Sequence, residues 1–208
     1  MPFCCMYFTR TPAYLKSLFG GLTWDVPETD AIFLTFDDGP VPGVTDKVLD
    51  MLAASEVKAT FFCIGHNVQK HPELYRRILD EGHAVGNHTF HHLNGWRSND
   101  ETYLEDVEKC ADLVSSRLFR PPYGRIGYRQ MQLLKQQYRI IMWDVLSGDF
   151  DELLTADDCA NNVLSGMRGG SIIVWHDSEK AAPRMLPALE RVLHTIRIRT
   201  LRTETLRG

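Results

Sequence analysis

The sequence has few cysteines, no excess of positive charge and no long apolar run, and each shortage excludes a class of protein. Its 208 residues include five cysteines and no CxxC pair, which argues against a disulfide-built scaffold and a thiolate zinc site. Lys and Arg number 23 against 27 Asp and Glu, and the net charge of −4 offers no basic field to nucleic acid. No stretch reaches the roughly 18 consecutive apolar residues of a transmembrane helix. We therefore expect no nucleic-acid partner and no transmembrane segment.

The N-terminus also lacks the pattern of a secretory signal, because Arg10 and Pro12 interrupt its apolar residues early. We therefore expect a cytoplasmic location. No repeat, low-complexity run or Ser/Gly linker divides the chain, and 44% hydrophobic with 24% charged residues is typical of a globular protein. We expect one domain of unknown oligomeric state, in which Cys63 and Cys110 are buried, reduced thiols.

Short apolar runs alternate along the chain with segments of helical periodicity. The apolar runs, rich in β-branched and aromatic residues, occupy residues 31–36, 59–64, 83–87, 118–119, 139–145 and 171–175. The helical segments occupy residues 44–55, 72–82, 100–116, 128–137, 155–167 and 183–194. Strict alternation predicts an α/β fold with a parallel sheet, either open and doubly wound or closed into a barrel. Residues 195–201 alternate in polarity and predict a further strand.

Polar motifs follow directly after most of the apolar runs. They read TFDDGP, HTFHH, RPPYG, LSGDF and HD in chain order. Because the carboxyl ends of parallel strands lie on one face of an α/β protein, we expect these motifs to converge on one site.

The first two of these motifs contain residues typical of a catalytic metal site. Asp37 and Asp38 are neighbours at a strand end, so their side chains point to opposite sides and one can bind a metal while the other acts as a base. His88 and His92 are four residues apart, a spacing that on a helical turn lets two imidazoles bind one ion. Two histidines and one carboxylate leave coordination positions open for water and substrate. The alternatives are an ordinary Asp-Gly-Pro turn and a polar loop with incidental histidines.

Three further kinds of residue are candidates for this site. His176 ends an apolar strand and is either a catalytic group or a core histidine. Arg120 precedes two prolines on a stiffened loop that could aim its guanidinium at a carboxylate. Trp96, Trp143 and Trp175 could each stack on a sugar ring or belong to the core.

Together these motifs resemble the polysaccharide deacetylases of the NodB-homology type, carbohydrate esterase family 4. The resemblance rests on TFDDGP, HTFHH, RPPYG and the histidine after SIIVW, and it extends from about Ala31 to His194. It implies a distorted (β/α) barrel with about seven parallel strands. It also implies that residues 31–208 form the catalytic domain and residues 1–30 an extension packed on it.

The resemblance implies a role for each site residue. Asp37 corresponds to the general base. Asp38, His88 and His92 correspond to the ligands of a divalent metal, most often Zn²⁺, with Co²⁺ or another ion as an alternative.

The remaining roles are those of the general acid, its partner carboxylate, the partner of the base and the oxyanion donor. His176 corresponds to the general acid and Asp149 to the carboxylate that tunes it. Arg120 corresponds to the residue that orients Asp37, and the backbone N–H of Tyr123 to an oxyanion donor. The implied activity is removal of N-acetyl groups from a glycan such as a chitin oligomer or peptidoglycan.

Two motifs of this sequence depart from the pattern of the family. Its fourth motif usually reads D-x-x-D-W, whereas Leu146 and Phe150 stand at the first and last positions here. Its fifth motif usually begins with Leu, whereas Val174 stands here. Two alternative functions remain open: hydrolysis of a small non-sugar amide or imide on the same scaffold, and a catalytically silent glycan-binding module.

Overall fold

The computed structural model describes residues 7–208, and its centre is a sheet of seven parallel strands. The strands are β1 Phe33–Asp37, β2 Thr60–Cys63, β3 Ala84–Asn87, β4 Leu118–Phe119, β5 Arg139–Ile140, β6 Val145–Leu146 and β7 Ile172–His176. Their spatial order is β5-β4-β3-β2-β1-β7-β6. If the strands are placed around a circle, consecutive strands are neighbours throughout, β7 pairs with β1, and among the described strands the only unpaired neighbours are β5 and β6. A doubly wound sheet would instead reverse direction at a switch point. The sheet is a curled, incompletely closed barrel, so the prediction of a distorted barrel is confirmed and the open alternative is wrong.

Eight helices are described. They are α1 Ala13–Leu18, α2 Thr45–Ala54, α3 Gly65–Lys70, α4 Pro72–Asp80, α5 Asp100–Ala111, α6 Tyr128–Leu134, α7 Ala156–Gly166 and α8 Ala182–Ile198, with a short 3₁₀ turn at Pro122–Gly124. Apolar residues of the helices pack on the outer face of the sheet and form the larger core cluster. Within the described chain, no helix is both long and apolar enough to cross a membrane.

Alternate residues of β1 face opposite sides of the sheet, and this alternation places the first site residue. Leu34 and Phe36 belong to the core cluster under the helices. Phe33 belongs to a second cluster inside the barrel, whose other buried members are Ala31, Phe62, Leu118, Ile141, Ile172 and Leu206. Because side chains alternate along a strand, Thr35 and Asp37 face the same side as Phe33. The barrel interior is therefore apolar at its base and polar where β1 ends.

The N-terminal segment spans the break in the barrel. Thr23 pairs with Ile141 beside β5, and Arg10 pairs with Val145 of β6. Lys16 of α1 forms ion pairs with Asp25 and with the buried Asp144, which lies in the connection between β5 and β6. The open edges of the sheet thus gain backbone and ionic partners from the N-terminal segment, which suits edges that would otherwise expose unpaired backbone groups.

Three details differ from the sequence-based expectations. Residues 139–145 do not form one strand, because β5 ends at Ile140 and β6 begins at Val145. The alternation is also broken, since both α3 and α4 lie between β2 and β3 while no helix separates β5 from β6. Residues 195–201 do not form a strand. They continue α8 to Ile198 because Val192 and Ile196 are both buried and keep the helical spacing of its apolar face.

The expectation that Cys63 and Cys110 are buried thiols outside any disulfide is confirmed. Cys63 and Cys110 are buried and free, and burial raises the pKa of both thiols. Cys4 and Cys5 lie outside the described residues.

His83, a buried histidine far from the polar strand ends, leads to a prediction about acid stability. Its Nδ1 accepts a hydrogen bond from the Ala59 N–H, and burial together with the nearby Lys58 charge lowers the pKa of His83 to about 4. The unfolded chain, with a histidine pKa near 6.5, binds this proton more readily. We therefore expect stability to fall as the pH drops from about 6.5 to 4, by up to about 3 kcal/mol from this group.

His83→Gln tests this prediction. Chemical denaturation at pH 7.5 and at pH 4.5 should show a smaller acid-induced loss in the variant than in the wild type. An equal loss in both proteins would mean that other groups carry the acid sensitivity.

Candidate active site

Three side chains from two loops form a cluster suited to a metal ion. Asp38 follows β1, and His88 and His92 lie in the loop that follows β3. One ligand atom from each of them lies within 4.8 Å of the other two. The Asp38 Oδ1 atom is 3.2 Å from His92 Nε2 and 3.8 Å from His88 Nε2. This separation suits three ligands that each lie about 2 Å from one central ion.

The chemical state of these residues also fits a divalent ion. His88 Nδ1 lies 2.7 Å from the backbone oxygen of Arg120, so Nδ1 carries the proton and Nε2 presents its lone pair to the cluster. Burial lowers the pKa of His88 and of His92, which favours the neutral form that binds metals. Asp38 Oδ1 is buried without a hydrogen-bond partner among the described residues. A buried carboxylate oxygen in that position is costly unless a cation or donor meets it.

The loop that carries the two histidines is not a helical turn, so that part of the prediction is wrong. Residues 88–92 are irregular, and both Thr89 and His92 have positive φ angles, 61° and 58°. These left-handed residues fold the loop back on itself and bring the two imidazole rings to 5.0 Å. Asp38 and Tyr123 also have positive φ, 86° and 59°, so four of the seven such non-glycine residues in the described chain surround this site. Backbone strain of this kind is concentrated at functional sites.

Asp37 points into the barrel and pairs with a buried arginine. The guanidinium of Arg120, which follows β4, donates to Asp37 Oδ1 at 2.6 Å and to Thr35 Oγ1 at 2.8 Å. It also donates to the backbone oxygen of Met142 and lies over the ring of Phe62. Burial lowers the pKa of Arg120, and the Asp37 charge opposes that effect. Arg120 is therefore held rigidly and fixes the orientation of the Asp37 carboxylate, leaving its second oxygen for chemistry.

His176 stands beside Asp37 on the neighbouring strand. The two residues are register partners in the parallel pairing of β1 with β7, so both side chains face the same side about 4.8 Å apart along the sheet. Asp149 accepts from the His176 backbone N–H at 2.8 Å, and its other oxygen lies 2.7 Å from His176 Nδ1. The bond at Nδ1 leaves Nε2 of the imidazole for a substrate.

The charge state of His176 follows from the same neighbours. Burial alone lowers the pKa of its imidazole, but the Asp149 charge and hydrogen bond, with smaller effects of Asp38 and Asp37, raise it to about 10. The imidazole is therefore protonated at neutral pH and can give up a proton.

Tyr123 lies at the rim, next to the metal-type cluster. Its ring is 4.6 Å from that of His92 and 61% exposed. Its backbone N–H belongs to the first turn of the 3₁₀ segment, where amide groups have no partner within the helix. The positive φ of Tyr123 turns this segment sharply after Pro122.

The residues that depart from the family motifs, Leu146, Phe150 and Val174, all pack against apolar or aromatic neighbours. Leu146 is a buried β6 residue paired with Val174 of β7, so apolar packing occupies the position of the motif's first carboxylate. Phe150 packs edge-on against the His176 ring at 5.3 Å, and its ring is tilted against that of Tyr7 at 5.1 Å. Phe150 therefore supplies an apolar wall beside His176.

Of the three candidate tryptophans, Trp175 is a core residue in β7 and is fully buried. Trp143 is partly buried and packs edge-on against Trp24 at 6.4 Å. Trp96 is 68% exposed.

Sequence reasoning assigned no role to the residues that hold the ligand-bearing loops. Asp177 accepts from the Gly39 N–H and from Thr45 Oγ1 at 3.0 and 2.6 Å, and a Cβ atom at Gly39 would overlap its carboxylate. The Asn67 side chain of α3 donates to the backbone oxygen of Asp38 at 2.7 Å. Asp177 directly follows His176, and this adjacency was the one signal that could have revealed it.

Asp106 of α5 forms hydrogen bonds that hold the loop of residues 88–92, which carries the two ligand histidines. Its Oδ2 accepts from the backbone N–H groups of Phe90 and His91 at 2.9 and 2.8 Å, and its Oδ1 lies 2.6 Å from His91 Nδ1. His91, the intervening histidine, therefore serves the loop and stays outside the metal-type cluster.

These bonds lead to a prediction for Asp106→Ala. Removing the carboxylate that forms three hydrogen bonds with Phe90 and His91 should loosen the loop between His88 and His92 and weaken metal binding by roughly 10- to 100-fold, the range seen when the surroundings of metal ligands lose a supporting partner. A competition titration with a metal-sensitive dye measures the affinity. Glu105→Ala, one residue earlier on the exposed side of α5, is the control that should leave it unchanged. Unaltered affinity in Asp106→Ala would show that the loop holds its shape without this residue.

Comparison of the sequence with known proteins identifies the family of this chain. The sequence profile of the polysaccharide deacetylase family matches residues 25–138. The chain is 34% identical over 183 residues to a peptidoglycan-N-acetylglucosamine deacetylase of Bacillus cereus, covering 84% of this chain and 66% of that protein. It is 36% identical over 155 residues to a chitooligosaccharide deacetylase of Azorhizobium caulinodans, covering 71% and 73% of the two chains.

A solved structure resembles this fold over almost its whole length. It is that of the Bc1960 peptidoglycan N-acetylglucosamine deacetylase in complex with 4-naphthalen-1-yl-N-oxidanyl-benzamide. The TM-score is 0.85 at 32% sequence identity, and the match covers 94% of this chain and 95% of the other.

Proposed function

We propose that this chain, which belongs to the polysaccharide deacetylase family, is a metal-dependent hydrolase that removes N-acetyl groups from a glycan. Curated relatives carry names of peptidoglycan and chitooligosaccharide deacetylases. We extend that substrate class, N-acetylated amino-sugar polymers or oligomers, to this chain.

The observation that carries the proposal is the juxtaposition of a base, an acid and three metal ligands at one end of the barrel. Asp37 and His176 are register partners on adjacent strands. Asp38 is the next residue after Asp37, and its carboxylate reaches His88 and His92. Hydrolysis of an amide needs these parts together: a way to activate water, a stabiliser for the developing oxyanion and a proton for the leaving nitrogen.

Asp38, His88 and His92 would hold the divalent ion, and Zn²⁺ suits two neutral imidazoles and one carboxylate best, with Co²⁺ as an alternative. When bound, the ion supplies Lewis-acid polarisation of the acetyl carbonyl and lowers the pKa of a water molecule.

The chain's own residues carry the proton transfers. Asp37, oriented by Arg120, accepts the proton of the attacking water through its free carboxylate oxygen. The Tyr123 N–H donates to the carbonyl oxygen as negative charge develops on it. His176, charged because Asp149 faces it, then protonates the leaving amine. Acetate and the free amino sugar are the products.

Acetate release tests the proposal. The zinc-loaded protein is incubated with N-acetylglucosamine oligomers, with soluble peptidoglycan fragments and with a panel of small linear and cyclic amides, each with and without a chelator. Acetate is assayed for the N-acetylated substrates, and loss of the substrate is followed by chromatography for the other amides. We expect chelator-sensitive acetate release from the sugars and little turnover of the small amides. Turnover of the small amides alone would replace the proposed function by the small-amide alternative.

A further inference from the structure

Trp96 lies on the surface beside the catalytic centre, yet it is held in a fixed position. Its ring is 68% exposed, while its indole N–H donates to the backbone oxygen of Ile126 at 3.0 Å. The guanidinium of Arg125 lies over the ring, 5.3 Å from its centre. One face is therefore supported and the indole nitrogen is satisfied. The ring is therefore held in one orientation with one face open, and an aromatic face fixed in this way is pre-organised for a stacking partner.

The loop that carries Trp96 is locked to the segment after Tyr123. The buried Gln130 side chain donates to the backbone oxygen of Gly95 at 3.0 Å, and the Gly95 N–H donates to the backbone oxygen of Arg125 at 3.1 Å. A Cβ atom at Gly95 would approach both Arg125 and Gln130 to 2.6 Å, so only glycine permits this contact. The ring orientation is thus built into the fold.

Trp96 is also close to the reacting centre along the chain. Three residues separate it from His92, so the two Cα atoms are at most about 14 Å apart. The segment that supports Trp96 begins two residues after Tyr123, whose ring contacts that of His92. Trp96 therefore lies near the rim of the catalytic centre, within a distance that a short oligosaccharide spans.

We infer that Trp96 forms a stacking subsite for a sugar residue of the substrate that neighbours the one being deacetylated. The inference rests on the proposed function. A pyranose presents a face of C–H groups that packs on an indole ring, and a rigid ring loses little entropy when the sugar binds. Trp96 would thus select oligomers over the monosaccharide.

The test compares kcat and KM for N-acetylglucosamine substrates from the monosaccharide to the pentasaccharide. In the wild type, kcat/KM should rise with length. In Trp96→Ala, kcat/KM for the pentasaccharide should fall roughly 10-fold, mainly through KM, with little change for the monosaccharide. Trp96→Phe should retain most of the gain, and Tyr14→Ala, which removes a ring that is 63% exposed on α1, should match the wild type.

Two outcomes would overturn the subsite: identical length profiles in Trp96→Ala and the wild type, or an equal loss on the monosaccharide and the pentasaccharide. The second would show that Trp96 only supports the loop. Calorimetric titration with the same oligomers separates this inference from the proposed function. A wild type that binds the pentasaccharide through Trp96 but releases no acetate would refute the reaction and support the subsite.

Discussion

Replacing Asp37 by Asn is expected to lower kcat by about 10²- to 10⁴-fold while leaving one equivalent of metal bound. The amide keeps the size of the side chain but cannot accept a proton from water. Asp38 and the two histidines, which form the ligand cluster, are untouched. Acetate release and metal analysis of the same preparation measure the two quantities.

Asp38→Asn is the matched change at the adjacent residue, and its effect should fall on metal binding first. Asp38 Oδ1 faces both imidazoles, so removing its charge weakens the ligand set itself.

Asp37→Asn needs a folding control, because it leaves the buried Arg120 without its carboxylate partner. Thermal unfolding must show that the Asp37→Asn protein is folded. Equal metal loss in two folded variants would mean that the roles of the two carboxylates are assigned wrongly.

His176→Ala is expected to lower turnover of sugar amides by about 10²- to 10⁴-fold, the usual contribution of a positioned acid. The loss should shrink for acetamides with a better leaving group, because protonation of the nitrogen then matters less. A series of N-acetylated anilines of graded leaving-group pKa measures this dependence. Wild-type rates on a poor leaving group would place the acid elsewhere.

The pH profile gives a separate readout of the same histidine. Activity needs Asp37 deprotonated and His176 protonated, which produces a bell-shaped profile with the alkaline limb set by His176. Burial lowers the pKa of His176, and Asp149 is the main cause that raises it to about 10. Asp149→Asn should therefore move the alkaline limb to lower pH with unchanged metal content. A limb that stays in place would exclude this pair as its origin.

The motifs predicted which side chains lie close together, because strand ends in parallel α/β proteins share one face. Eight predicted site residues end or follow five different strands: Asp37, Asp38, His88, His92, Arg120, Tyr123, Asp149 and His176. The register of β1 with β7 places Asp37 and His176 side by side. Alternation along β1 could also be read from the sequence, and it accounts for the inward position of Asp37. The local chemistry was therefore readable before the structure, whereas strand alternation alone fitted both an open and a closed sheet and did not reveal the break between β5 and β6.

The loop shapes and supporting contacts were not readable in the same way. The approach of His88 to His92 depends on positive φ angles at Thr89 and His92. A positive φ is unfavourable for a β-branched residue such as Thr, so the sequence does not predict this conformation at Thr89. Asp106 lies mid-helix among other acidic residues, so nothing in its neighbourhood distinguishes it from a solvated charge. The end of α8 was misjudged because residues 195–201 fit both periodicities, and tertiary packing of Ile196 decided between them.

The central claim is that one divalent ion, held by Asp38, His88 and His92, is required for deacetylation by Asp37 and His176. Its most direct test is a titration of chelated protein with Zn²⁺, in which acetate release from an N-acetylglucosamine oligomer is followed against molar equivalents of metal. We predict no release without metal, a linear rise and a break at one equivalent in the wild type, and no recovery in His92→Ala over the same range. Full acetate release from the metal-free protein, or the same titration curve in His92→Ala, would contradict it.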